Sequence, residues 1–144
     1  MKLQQQWEHH ISVDCKRESL NMLRQFTKEV LSEWQITDEQ QYLMMLALDE
    51  VCANLIIHAH SCNSDDRLDI TISRAADGIL FEVKDTKPDS FNLTHYEVPS
   101  VHQILCEKKR NGIGLLLVKK IMDEIVVEQA EGAKICRMKK KLAC

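Results

Sequence analysis

A helical stretch with apolar residues on more than one face constrains this chain most. It runs from the Thr37-Asp38-Glu39-Gln40 box to about His60. Gln lies three residues after Thr, the spacing of a reciprocal N-terminal cap. A helix that is apolar nearly all round cannot lie at a surface, so this should be the most buried helix of the fold. Yet Glu50 and Asn54 sit inside it, within Leu46-Ala47-Leu48-Asp49-Glu50-Val51-Cys52-Ala53-Asn54-Leu55-Ile56-Ile57-His58. Residues four apart share a helical face, and His58 falls close to the same stripe. A carboxylate and an amide facing a core are costly without partners. Either they bond to each other and to backbone, or they face a polar cavity.

The rest of the chain predicts what packs around that helix. Trp7, His9, Ile11 and Val13 alternate with Glu8, His10 and Ser12, which suggests a strand over about residues 3–13. Leu20, Leu23, Phe26, Val30, Leu31 and Trp34 recur at helical spacing, an amphipathic helix over residues 19–34. A polar turn, Ser61-Cys62-Asn63-Ser64-Asp65-Asp66, ends the central helix. Leu68, Ile70 and Ile72 alternate with polar residues, Ala75-Ala76-Asp77-Gly78 reads as a hairpin turn, and Ile79, Phe81 and Val83 continue the pattern. Residues 85–110 carry both prolines and little periodicity, as a functional or a mobile loop would. A third helix is expected from near Ile113 to about Glu124, and a last hairpin turns around Gly132. This order predicts an α/β two-layer sandwich, with three helices on one face of a mixed, mainly antiparallel sheet. The 144 residues are expected to form a single domain, 1–144.

Composition narrows the function classes. A hydrophobic fraction of 44% and a charged fraction of 28% suit a globular protein. The net charge of −3 argues against nucleic acid as a partner. No segment has the apolar length of a membrane span, and the polar start does not resemble a secretory signal, so a cytoplasmic location is expected. Six cysteines without framework spacing read as free thiols, several of them core filler. His58-x-His60-x-Cys62 suits neither one helical face nor a zinc knuckle. Lys139-Lys140-Lys141 reads as a solvated strand end.

Two further signals bear on Glu50 and Asn54. Asp85-Thr86-Lys87-Pro88 puts an acid at the end of a strand, either a hydrogen-bond acceptor for a ligand or a turn aspartate. Asn111-Gly112-Ile113-Gly114 opens a helix. Residues without a Cβ let backbone amides approach phosphate oxygens, and a helix start adds favourable positive potential. The same glycines also suit a plain loop-to-helix join.

With these residues in view, Glu50-x-x-x-Asn54 and His58 resemble the N box of the GHKL (histidine-kinase-like) ATPase superfamily. Asp85-x-Lys87-Pro88 resembles its first glycine box. The run from Asn111 to Ile125, with Gly112-Ile113-Gly114-Leu115 and Met122-Asp123-Glu124-Ile125, resembles its second and is similar to anti-sigma-factor serine kinases of the RsbW and SpoIIAB type. The resemblance implies a Bergerat-type sandwich that uses ATP and Mg²⁺. It makes Asn54 the metal ligand, Glu50 the base toward a serine hydroxyl, and Asp85 the acceptor for the adenine amine. It places Gly112, Ile113 and Gly114 on the phosphates, Arg110 on the γ-phosphate, and Lys87 beside the purine or a phosphate. The implied partners are a small anti-sigma-factor antagonist, phosphorylated on serine or threonine, and a sigma factor; a homodimer is compatible. Arg17, Arg24 and Lys28 on the first helix are either a partner surface or ordinary surface charge.

Two departures from the family pattern matter. Lys87 stands where the first glycine box has Gly, and Ala133-Lys134 stands where a Thr or Asn follows the last hairpin's glycine. They motivate an alternative, a partner-switch module that no longer uses nucleotide. A third reading, the catalytic domain of a histidine kinase, would need its acceptor helices on a separate chain.

Overall fold

The computed structural model describes residues 7–86, 110–130 and 132–142. Its elements follow in the order β1 (Glu8–Asp14), α1 (Ser19–Glu33), α2 (Asp38–Ala53), a π-helical continuation (Asn54–Ala59), β2 (Arg67–Ala75), β3 (Gly78–Asp85), α3 (Arg110–Ile121), β4 (Glu124–Ala130) and β5 (Ala133–Lys141). The strands form one sheet in the order β1-β2-β3-β5-β4. All four pairings among the described strands are antiparallel, so the expected admixture of parallel strands is absent there.

Alternation along each strand sorts the sheet into two faces. Val13, Leu68, Ile70, Ile72, Ile79, Phe81, Val83, Cys136 and Met138 are buried and belong to one core with the helices. Their neighbours Ser12, Asp69, Thr71, Ser73, Glu82, Lys84 and Arg137 take the other face, as one-sided coverage requires. Helix α2 packs between α1 and α3. It buries Met44, Ala47, Leu48 and Cys52, and the π segment adds Leu55 and Ile56. The Thr37 side chain accepts from the Gln40 amide, the predicted cap.

Several expectations are met in modified form. The first strand starts at Glu8; the earlier part of the expected range lies outside the described residues. Helix α3 spans Arg110–Ile121 instead of about 113–124. Its end comes early because the Asp123 amide already donates to the Lys139 carbonyl and ties the chain to β5. Cys15, Cys52, Cys62 and Cys136 are free thiols; Cys106 and Cys144 lie outside the described residues. The lysines ending β5 pair with Asp77, Asp123 and Glu124. Arg24 makes a two-pronged bond to Asp49 at 2.7 and 3.2 Å and so bridges α1 to α2.

Phe81 is fully buried in the middle of the sheet. Phe81→Ala should lower the unfolding free energy by about 3–5 kcal/mol. Denaturant melts measure this; a loss below about 1 kcal/mol would contradict the placement of the core.

Candidate functional site

The α-helical pattern of α2 ends at Ala53, and the chain continues as a wider π-helix from Asn54. The His60 amide donates to the Leu55 carbonyl five residues back, the π spacing. Asn54 therefore sits at the switch between two helical periods. Its Nδ2 donates to the Glu50 carbonyl at 2.9 Å. That bond assigns nitrogen to the backbone side and leaves the amide oxygen as the atom for a cation. A single hard oxygen of this kind suits Mg²⁺, which keeps waters and takes further ligands from phosphates. Among the described residues, no group of three His, Cys, Asp or Glu side chains forms a metal cage.

The Glu50 carboxylate meets the second glycine box. A Cβ built on buried Gly114 would lie 2.9 Å from Glu50 Cδ and closer still to Oε2. Gly114 is thus the notch in α3 that receives the acid from α2. Because α3 begins at Arg110, Arg110, Asn111, Gly112 and Ile113 form its first turn. Gly114 lies further along the helix. The sequence reading gave both glycines the same task; in the fold, Gly114 makes room for Glu50. Burial raises the Glu50 pKa, and the neighbouring Asp49 charge raises it further.

Asp85 ends β3 and is 1% exposed. Its Oδ2 lies 2.8 Å from His60 Nε2, and His60 Nδ1 lies 2.7 Å from Asp66 Oδ2. One buried imidazole thus bridges two buried carboxylates. Burial opposes charge on His60, but the bonds to Asp66 and Asp85 outweigh it and hold its pKa above 6.5. The bridge is anchored through backbone. The Asp66 amide donates to the Asn63 carbonyl at 3.1 Å, and the Asp66 carbonyl accepts from the Cys15 amide at 2.9 Å. Ser61 and Cys62 both take left-handed conformations, φ 50° and 56°, to turn the chain sharply after His60. Burial pushes the Cys15 thiol up to about 12, and the fields of Asp66 and Asp85 add to the effect. Lys134, buried on β5, is the ladder partner of Asp85.

The fold therefore joins Glu50 to Gly114, holds Asn54 on the Glu50 backbone, and ties Asp85 to His60 just after the π segment. Lys87 lies outside the described residues. Sequence reasoning gave His60 and Asp66 no role in the site: His60 was weighed only as a metal ligand, and Asp66 only as part of a polar turn. An acid just before an alternating strand and a histidine just after an apolar helix were the only signals. A cleft of about 620 Å³ lies at the other end of the β2–β3 hairpin, lined by Trp34, Ile36, Arg74 and Asp77 among others. It is remote from all of these groups, and the chemistry speaks for the Glu50–Gly114 region instead.

The chain belongs to the histidine kinase-like ATPase domain family, whose model matches residues 13–140. Two solved structures share its fold. The SiaB–SiaC complex from Pseudomonas aeruginosa contains a chain that superposes with a TM-score of 0.66 at 12% identity, over 91% of this chain and 88% of that one. The RsbU and RsbW domains of a Mycobacterium tuberculosis protein superpose with a TM-score of 0.65 at 15% identity, over 93% of this chain but 32% of the other. No functionally curated protein sequence matches the chain. No described helix is long and apolar enough to cross a membrane.

Two predictions follow from the geometry. In Gly114→Ala the obstacle is the flexible end of Glu50, so the acid should move while the helix gains up to about 1 kcal/mol of propensity. NMR titration should show the Glu50 pKa falling toward the usual range. A Glu50 titration unchanged from wild type would contradict the notch. For His60, a folded pKa above 6.5 means that its stabilising contribution is complete below about 6.5 and is lost as pH rises through the folded value. Denaturant melts over that alkaline window should show the loss in the wild type and not in His60→Gln.

Proposed function

We propose that this protein is an ATP-binding partner-switch regulator that phosphorylates a small antagonist protein on serine or threonine. The observation that carries it is the contact of Glu50 with Gly114, which unites the acid of the N box with the glycine box on α3. Family membership supports ATP binding. A structural neighbour solved as a two-protein complex supports a role in binding other proteins. We treat residues 1–144 as one ATPase-like domain.

Bound Mg-ATP would supply a transferable phosphoryl group and the charge neutralisation that transfer needs. Asn54 would hold the metal through its amide oxygen. The amides of the first turn of α3, Gly112 and Ile113 among them, would face phosphate oxygens at the positive end of the helix. Arg110, at that helix start, would meet the γ-phosphate, and Lys87 would serve the purine or phosphate side. Asp85 would accept from the adenine amine. Glu50 would take the proton of the attacking hydroxyl; its raised pKa makes it a better base than a solvated glutamate. Phosphorylation of the antagonist would block its binding and leave the regulator free to hold a sigma factor. These partners, a homodimer and a cytoplasmic location belong to the proposal.

A second reading is a partner-switch module that works without nucleotide. It is favoured by the deep burial of Asp85 and by its bond to His60. Calorimetry with Mg-ATP at millimolar concentration separates the two readings, because clear binding removes the second.

For the leading reading, incubation with Mg-ATP and a cognate antagonist should label the antagonist. Glu50→Gln should cut labelling by about 10²–10⁴-fold while sparing nucleotide binding. Equal labelling by the variant would remove Glu50 from the role of base.

A further inference from the structure

We infer that His60 is the positioning residue for base recognition: clamped by Asp66 on one side, it holds Asp85 on the other as a fixed acceptor that selects a purine bearing an exocyclic amine. The inference rests on the reading above that Asp85 meets the base.

Charge and geometry carry it. A buried carboxylate needs strong hydrogen bonds to remain ionised. Asp85 receives one from His60 Nε2 at 2.8 Å, while Nδ1 of the same ring is held by Asp66 at 2.7 Å. Both ring nitrogens donate only in the imidazolium form. The ring cannot swing, because the Asp66 backbone is bonded at its amide and at its carbonyl. The bond to Oδ2 thus holds the Asp85 carboxylate in one orientation while His60 is charged. An ionised carboxylate only accepts, so the base has to present a donor. Adenine offers an amine at that edge. Hypoxanthine offers a carbonyl there and a ring N–H beside it, which Asp85 could meet only by turning.

Loss of the imidazolium proton would leave one ring nitrogen as a lone-pair acceptor against a carboxylate. Asp85 would then be released to turn, and discrimination would weaken as pH rises. Among the described residues, the ionisable groups that act on the ring are Asp66 before β2 and Asp85 on β3; the Cys15 thiol after β1 lies in the field of both and of Cys62, and Lys134 on β5 stands opposite Asp85. Cys15 is held protonated by its burial, and Lys134 faces Asp85 from the neighbouring strand. His60 is the one of these whose ordinary pKa lies near neutrality.

The test is calorimetry of the full chain with Mg-ATP and with Mg-inosine triphosphate, which differ only at the base. The wild type should prefer ATP by about tenfold or more, the scale of one bond made against one acceptor left facing another. His60→Gln should bring the two affinities to within about threefold, with its folded circular dichroism spectrum intact. In the wild type the ratio should fall as pH rises through the His60 titration. A folded His60→Gln protein that keeps the wild-type ratio overturns the inference and leaves ATP binding standing. A wild type that binds neither triphosphate overturns both. If His60→Gln does not fold, Asp66→Asn and the wild-type pH series decide. A ratio that is flat with pH and unchanged in Asp66→Asn overturns the positioning role.

Discussion

Burial of α2 between α1 and α3 is the constraint from which the rest of the structure follows. Polar groups on the packed side of α2 are costly without partners inside the protein, while Asp38, Glu39 and Tyr42 keep to solvent. Asn54 finds the backbone one turn earlier. Glu50 finds a notch in α3 that only a residue without a Cβ can offer. His60, at the far end, finds two carboxylates, one just before β2 and one at the end of β3. The widening of the helix at Asn54 changes the angular position of everything after it. That change delivers His60 to the interior.

The resulting interior gathers several ionisable groups. His60 sits between Asp66 and Asp85, and Lys134 stands opposite Asp85 on the next strand. Removing one member of such a set leaves an uncompensated buried charge, at a typical cost of about 3–5 kcal/mol. The same set ties together the π segment, the approach to β2, the end of β3 and the start of β5. The acid at the end of β3 is thereby coupled to the helix that carries Glu50 and Asn54.

The fold was legible in the sequence to a large degree. Period-two alternation at residues 68–72 and 79–83 marked β2 and β3, and helical spacing between Leu20 and Trp34 marked α1. The cap at Thr37 was legible because its bonds are local. The site was legible in part. Glu50 and Asn54 stood out because polar residues on an apolar helix violate its pattern. Gly114 was visible, but its steric role was not, since nothing in the sequence says which side chain faces that notch. His60 and Asp66 were invisible as a pair. His60 caps the helix and Asp66 ends the turn that follows, where no periodicity exists to be broken and polar residues are ordinary.

The sequence alone determined the order of elements, the burial of the central helix and the oddity of its two polar residues, because hydrophobic periodicity and capping are short-range properties. Only the tertiary structure decided that Glu50 lies against Gly114, 64 positions onward by the numbering, and that one histidine joins Asp66 to Asp85. Such contacts depend on how the helices and the sheet pack against each other. Packing is a property of the whole chain, set by where each buried polar group can satisfy its bonds.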